Sequence, residues 1–216
     1  RLKAADPEAV PMAFWDFDGT IIKGDLGLGH REGNRGYAGL VDELIRAGLN
    51  PLFKGEGATD RWQATYRTMA EFGPWLTQAF DAQMFAGVPA LEMDAFCERT
   101  IREKGYADWY FSSSVAIWKG LAAAGVENYV VSASIEAMMR NVAPTLGIPA
   151  DRIRATRVML EGGRWTTKLV YPIPYGDGKV DAVREIVRAR PCGIAVAAFG
   201  NSYPTDGAFL RYVATQ

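Results

Sequence analysis

Two carboxylates one residue apart, Asp16 and Asp18, are the first place in this chain where chemistry could be done. They follow the apolar run Val10-Pro11-Met12-Ala13-Phe14-Trp15 and precede Gly19-Thr20. A short apolar run stopped by glycine reads as a buried strand that opens into a turn. Side chains at i and i+2 of a strand share a face, so both acids are expected to converge just beyond the strand's carboxyl end, where open α/β sheets bind ligands. One carboxylate of such a pair can attack or ligate a hard cation, while the other, of shifted pKa, exchanges a proton. Taken alone, Asp-x-Asp reads as an acidic turn; three later segments give it weight.

The first is Asn128-Tyr129-Val130-Val131-Ser132, a buried strand ending in a hydroxyl. Ser132-Ala133-Ser134 is expected to start a helix carrying Ile135, Met138, Met139 and Val142. A hydroxyl beside the first N–H groups of a helix suits a phosphate oxygen, and it equally suits a helix N-cap; both roles coexist if Ser134 is the cap. The second is Gly178-Lys179, which opens a helix with Val180, Val183, Ile186 and Val187 after a loop of Pro172, Pro174 and Gly176. It is not a P-loop, because position 173 is Ile where that motif requires Gly. A cation at a helix start is electrostatically misplaced, which points to an anionic partner. The third is the strand Gly193–Phe199, which runs into Gly200-Asn201-Ser202-Tyr203-Pro204-Thr205-Asp206.

In this order the four segments resemble the motifs of the haloacid dehalogenase superfamily, most closely its phosphoserine phosphatase and phosphorylcholine phosphatase groups. The resemblance implies a Rossmann-like α/β core with a parallel sheet and an inserted helical cap. It implies that Asp16 is a nucleophile forming an aspartyl phosphate and that Asp18 is the general acid/base. Thr20, Ser132, Ala133 and Lys179 would bind the phosphate, and Lys179 would keep Asp16 ionised. Mg²⁺ would be held by Asp16, Asp18, Asn201 and Asp206. The fourth motif departs from the usual pattern twice: Asn201 stands where an acid is normal, and Asp206 comes one residue later than in the commonest form. Asn offers a carbonyl oxygen without charge, so the ion is expected to be held less tightly, with Asn201 a direct ligand and Asp206 acting through water or supporting the shell. The longer spacing and the Ser-Ala pair are similar to phosphorylcholine phosphatases.

The elements that must position these residues follow from periodicity and punctuation. The core is assigned to residues 1–23 and 110–216, and residues 24–109 to the cap. Gly27-Leu28-Gly29-His30-Arg31-Glu32-Gly33 reads as a flexible hinge. Tyr37, Leu40, Val41, Leu44 and Ile45 recur at helical spacing, and further helices are expected around 59–72, 74–86 and 89–104. In the core, Val115 to Leu121 belongs to a helix stopped near Gly125, and Ile153–Leu160 with Arg164–Tyr171 form a hairpin over Glu161-Gly162-Gly163. No strand is evident after Asp206. Substrate choice is expected to lie in the cap. Trp62, Trp75, Trp109 and Tyr110 are candidates for a cage around a quaternary ammonium such as choline, and equally for the packing of the cap's own core. Asp25, Arg31 and Arg35 are alternative contacts for a polar substrate such as phosphoserine.

Composition narrows the partners. The chain has 216 residues, 49% of them hydrophobic, enough for one domain with an insertion or two small ones. A net charge of −1 and no basic block argue against nucleic acid. Cys97, Cys192 and the single His30 make neither a disulfide framework nor a zinc site. No apolar run reaches membrane-spanning length, and Arg1-Leu2-Lys3 does not begin a signal-like segment, so the compartment stays open. A dehalogenase would not need the second Asp or a metal, and a Ser-His-Asp hydrolase would have to rely on His30 in a glycine loop. The partner expected is a small phosphate ester. A phosphate-binding protein without turnover and a phosphotransferase to another acceptor stand beside hydrolysis; the assembly state is unread.

Overall fold

The computed structural model describes residues 8–216; the first seven residues of the expected core segment, Arg1-Leu2-Lys3 included, lie outside them. A five-stranded sheet organises the chain. It contains β1 (Val10–Trp15), β4 (Glu127–Ile135), β5 (Ile153–Glu161), β6 (Arg164–Val170) and β7 (Gly193–Phe199), in the order β6-β5-β4-β1-β7. All neighbours are parallel except the β5–β6 hairpin. A separate antiparallel hairpin pairs β2 (Gly29–Glu32) with β3 (Arg35–Ala38).

Period-two alternation in β1 explains the layers. Met12 and Phe14 face one side, in a cluster with Val183, Ile186, Phe209 and Val213 from the helices α7 (Asp177–Ala189) and α8 (Tyr203–Ala214). Ala13 and Trp15 face the other, in a cluster with Phe17, Trp62, Met93 and Met138. Trp15 is 1% exposed, stacks on Phe199 at 3.8 Å between ring centroids and donates its indole N–H to Asn128 Oδ1 at 2.9 Å. Burial of such a ring contributes about 2–3 kcal/mol, and its N–H costs nothing because it is paired. By the same alternation Asp16 continues the Met12/Phe14 face, toward α7 and α8.

Between β1 and the core helix α5 (Ser112–Ala123) lie the β2–β3 hairpin and helices α1 (Leu40–Arg46), α2 (Ala58–Phe72), α3 (Pro74–Gln83) and α4 (Ala90–Glu103). Their start and stop signals are the expected ones: Pro74 opens α3, and Gly73 and Gly87 interrupt the run. The helices share one continuous buried cluster with the sheet rather than keeping a core of their own. They are also hydrogen-bonded to it. The backbone of Gly87 and Ala90 donates to the carbonyls of Trp165 and Gly163 at 2.7 and 2.9 Å, and Trp165 N–H returns a bond to Val88 at 2.9 Å.

Three local expectations are corrected. The glycine loop is not a hinge but the β2–β3 hairpin, turned by Gly33-Asn34, with His30 opposite Tyr37 and both rings against Trp109; Tyr37 therefore lies in β3, before α1 rather than in it. Ser132-Ala133-Ser134 does not open a helix. β4 runs through it to Ile135, paired with Thr156, and the following helix α6 (Glu136–Val142) has Ile135, not Ser134, at its N-cap. The segment after Asn201 forms α8.

Candidate active site

Asp16 leaves the carboxyl end of β1 and meets Lys179, the third residue of α7. Lys179 Nζ donates to Asp16 Oδ1 and to Asp206 Oδ1, each at 2.6 Å, and all three side chains are buried. Gly178 permits this approach: a Cβ there would lie 1.9 Å from the Ile173 carbonyl oxygen. Asp206 Oδ2 accepts the N–H groups of Asn201 and Ser202 at 3.0 Å, so the acid ties the loop after β7 to the lysine. Thr20 Oγ1 donates to Asp16 Oδ2 at 3.1 Å.

This triad is not a device for stability. Removing each ion from water costs several kcal/mol, and mutual attraction in a protein interior roughly cancels that cost. Its value lies in fixing charge. Burial pushes the Asp16 carboxyl up from its ordinary range, the Lys179 ammonium pulls it back and Asp206 adds to the rise; the net direction is up. Burial alone would lower Lys179, but its two carboxylate partners outweigh that and hold it protonated.

Asp18 is served by different partners. Leu26 N–H donates to its Oδ1 at 2.6 Å and Ser134 Oγ–H to its Oδ2 at 2.5 Å. Burial, then the charges of Asp25 and Asp16, raise its pKa well above the carboxylate range, while the two hydrogen bonds oppose the rise. A carboxyl whose hold on its proton is raised in this way suits a general acid. Ser132 is fully buried beside it, its Oγ accepting the N–H of Ser134 at 3.1 Å. The two acids thus do not share one set of partners as a regular strand would have placed them: the chain turns at Asp18, sending Asp16 toward Lys179 and Asp18 toward Ser134.

The oxygen donors near Asp16 fit a hard cation such as Mg²⁺, which takes one or two carboxylates and keeps waters or phosphate oxygens for the rest. Asp16 and Asn201 are the side chains of that kind at the site; both Asp18 oxygens are engaged by Leu26 and Ser134, so its carboxyl would meet the ion only by giving up one of these bonds. Asn201 lies over the turn, its Nδ2 1.9 Å from where a Cβ on Gly19 would stand, and Gly19 has φ +72°. Asp206, with both oxygens engaged, is placed as a support rather than as a donor. Among the described residues no three His, Cys, Asp or Glu side chains converge as a metal centre.

The specificity candidates separate. Asp25 is drawn in: its Oδ1 accepts Gly27 and Leu28 N–H at 2.7 and 2.8 Å, and its charge reaches Asp18. Trp62 is buried in the helices, donating to Asp81 Oδ1 at 3.2 Å with its ring on Tyr66. Trp109 packs on His30 and Tyr37, Tyr110 on Phe17, and Trp75 is half exposed. These rings do not pair with one another among the described residues; each packs on a different neighbour. Arg35 sits over Trp109, 5.5 Å from the ring centroid. Sequence reasoning passed over Asp81 and the Ser134–Asp18 bond. Asp81 carried a signal, as the one acid within Ala79-Phe80-Asp81-Ala82.

A family model, haloacid dehalogenase-like hydrolase, matches residues 13–211. Among curated proteins none matches in sequence. A Bordetella pertussis Tohama I protein of unknown function superposes with a TM-score of 0.67 at 20% identity, covering 84% of this chain and 75% of that one. An apo phosphoserine phosphatase gives 0.52 at 14% identity over 94% and 82% of the two chains, and a cytosolic 5′-nucleotidase IIIB bound to cytidine gives 0.53 at 18% over 76% and 54%. At these identities the structural likeness speaks for the fold. With a family model spanning nearly its whole length and the four motif segments gathered at one sheet end, the chain belongs to the haloacid dehalogenase-like hydrolases.

Proposed function

We propose that the chain is a phosphomonoesterase of small phosphorylated metabolites. The observation that carries this reading is the buried Lys179 ammonium held between Asp16 and Asp206 beside a protonation-prone Asp18. A substrate phosphate would lie at the carboxyl ends of β1 and β4, near Thr20, Ser132, Ala133 and Lys179. An Asp16 carboxylate oxygen attacks phosphorus, the ester P–O bond breaks, and Asp18 gives its proton to the departing alkoxide. Asp18 then takes a proton from water as that water attacks the aspartyl phosphate, freeing Asp16 and inorganic phosphate. Lys179 neutralises the phosphoryl oxygens throughout. Mg²⁺ held by Asp16 and Asn201, with Asp206 in support, would supply further charge neutralisation. The family membership and the phosphoserine phosphatase fold likeness support this reading.

Residues 24–109 act as the cap over residues 110–216 and the β1 segment, and they choose the leaving group. The substrate is of the phosphoserine or phosphorylcholine kind. A second reading, a phosphate binder without turnover, is favoured by Asn201 and by the lack of a three-acid metal centre among the described residues. Hydrolysis of an aryl phosphate by wild type and Asp16→Asn, with Mg²⁺ and with EDTA, separates the two. Metal-dependent activity lost in the variant establishes hydrolysis; a folded protein inactive throughout transfers the assignment to binding.

A further inference from the structure

The end of β4 is not a regular strand. Val131 lies opposite Arg154 and Ile135 opposite Thr156, so β4 spends four residues where β5 spends two, and the register shifts across Ser132-Ala133-Ser134. Such a bulge takes backbone groups out of the ladder and re-aims side chains. Here side chains satisfy the freed groups: the fully buried Thr156 donates its hydroxyl to the Ala133 carbonyl at 2.7 Å, and Ser132 Oγ accepts the Ser134 N–H at 3.1 Å. The bulge is therefore pinned from both sides, and it turns the Ser134 hydroxyl onto Asp18 Oδ2 at 2.5 Å.

Asp18 thus has one fixed partner and one adjustable partner. Leu26 N–H donates to Oδ1 at 2.6 Å, and a backbone N–H can only donate, so a proton placed on Oδ1 would weaken that bond. A serine hydroxyl can turn between donating and accepting. Ser134 can therefore stay bonded to Oδ2 whether or not that oxygen carries a proton. Of the two carboxyl oxygens, Oδ2 is the one whose partner adapts to a change of protonation.

We infer that Ser134, aimed by the β4 bulge, is a positioning residue for the general acid: it holds the Asp18 carboxyl so that Oδ2 is the oxygen that gives and takes the proton. The inference rests on the phosphatase reading and deepens it. As the ester P–O bond breaks, the Oδ2 proton passes to the departing alkoxide oxygen, and Ser134 donates to the carboxylate left behind. When water attacks the aspartyl phosphate, its proton returns to Oδ2. Ser134 itself neither gains nor loses a proton. An alkoxide leaving group needs that proton and a nitrophenolate does not, so the contribution of Ser134 grows with the basicity of the leaving group.

The test compares kcat/KM, which reports the steps through transfer to Asp16, for ethyl phosphate and 4-nitrophenyl phosphate in wild type, Ser134→Ala and Ser134→Thr. Ser134→Ala is expected to lower the value for ethyl phosphate by about 10- to 100-fold, a part of what a general acid supplies, and that for the nitrophenyl ester by about threefold or less. Ser134→Thr keeps the hydroxyl and should recover most of the loss on ethyl phosphate. Equal losses on the two esters, or no loss on either, would overturn the role. Urea unfolding of wild type, Ser134→Ala, Asp18→Ala and the double variant needs no substrate. The two changes should be coupled by about tenfold in the unfolding constant, the scale of one hydrogen bond to a carboxylate. Such coupling in proteins that hydrolyse no ester would reject the phosphatase reading and uphold Ser134 as the residue that fixes Asp18. Additive effects would reject the contact even in an active enzyme.

Discussion

The two ends of the site handle buried charge in opposite ways. Around Asp16 the acids have a cation beside them: two carboxylates share one ammonium at 2.6 Å each, and Asp206 also takes two backbone N–H groups. Around Asp81 the carboxylates of Asp25 and Asp81 are buried with only N–H donors of neutral groups beside them. The first end is complete before any substrate arrives, which is what preorganised stabilisation of a phosphoryl group demands. The second holds its two acids without a cation bonded to them among the described residues.

The largest effects should come from breaking the complete end. Asp16→Asn should lower kcat by about 10⁴-fold or more, because loss of a nucleophile leaves only positioning and charge. Phosphate release assays on any ester the wild type turns over will show it. Lys179→Met should remove activity as well, and should also cost about 3–5 kcal/mol of folding stability, since two carboxylates are then left buried without their cation. Urea unfolding at neutral pH measures this; a midpoint unchanged from wild type would mean that the triad is not the closed charge network described.

At the incomplete end the sign reverses. Burial pushes the Asp81 carboxyl up to about 8, with Asp25 adding to the rise and the Trp62 N–H opposing it. A raised carboxyl pKa means that the folded state binds the proton more tightly than the unfolded chain, whose Asp titrates near 4. Stability from this group is therefore present below about pH 4 and is lost as pH climbs toward 8. Asp81→Asn should raise stability at pH 8, on the order of 2–5 kcal/mol, and leave it unchanged at pH 4. Thermal melts at the two pH values test this, and a gain at both would point to packing rather than charge.

The contrast also marks what could be read in advance. The Asp16–Lys179–Asp206 cluster was legible because each of its parts ends or begins an element: Asp16 closes an apolar strand, Lys179 opens a helix and Asp206 follows the last strand, so punctuation alone pointed to their meeting at one sheet end. Ser132 was legible as the end of a buried run, but its neighbours misled. Ser-Ala-Ser mimics a helix cap, whereas pairing of Ile135 with Thr156 keeps the strand going. The hairpin at Gly33-Asn34 had its turn signal in plain view, obscured by the surrounding glycines. The packing around Asp81 could not be read at all. Asp25, Ser134 and Asp81 come from a loop, a strand and a helix, and no local pattern says that the third packs over the first two.

Asn201 offers the finest test of the complete end, because only there is a charge lower than the superfamily's pattern implies. Its side chain is exposed and lies across Gly19, so an added carboxylate at this position would not be desolvated and would stand over the turn that follows Asp18. Without metal, Asn201→Asp should destabilise slightly, by about 0.5–1 kcal/mol of like-charge repulsion between partly solvated acids. With saturating Mg²⁺ the order should invert. An extra charged oxygen donor is expected to tighten the ion about tenfold, and binding to the folded state alone converts that into about 1.4 kcal/mol of added stability. Melting wild type and variant in EDTA and across a Mg²⁺ titration reads both terms from one pair of proteins. Curves that cross as Mg²⁺ rises place the cation against residue 201. Parallel curves would put the cation elsewhere and leave Asn201 as a contact of the turn.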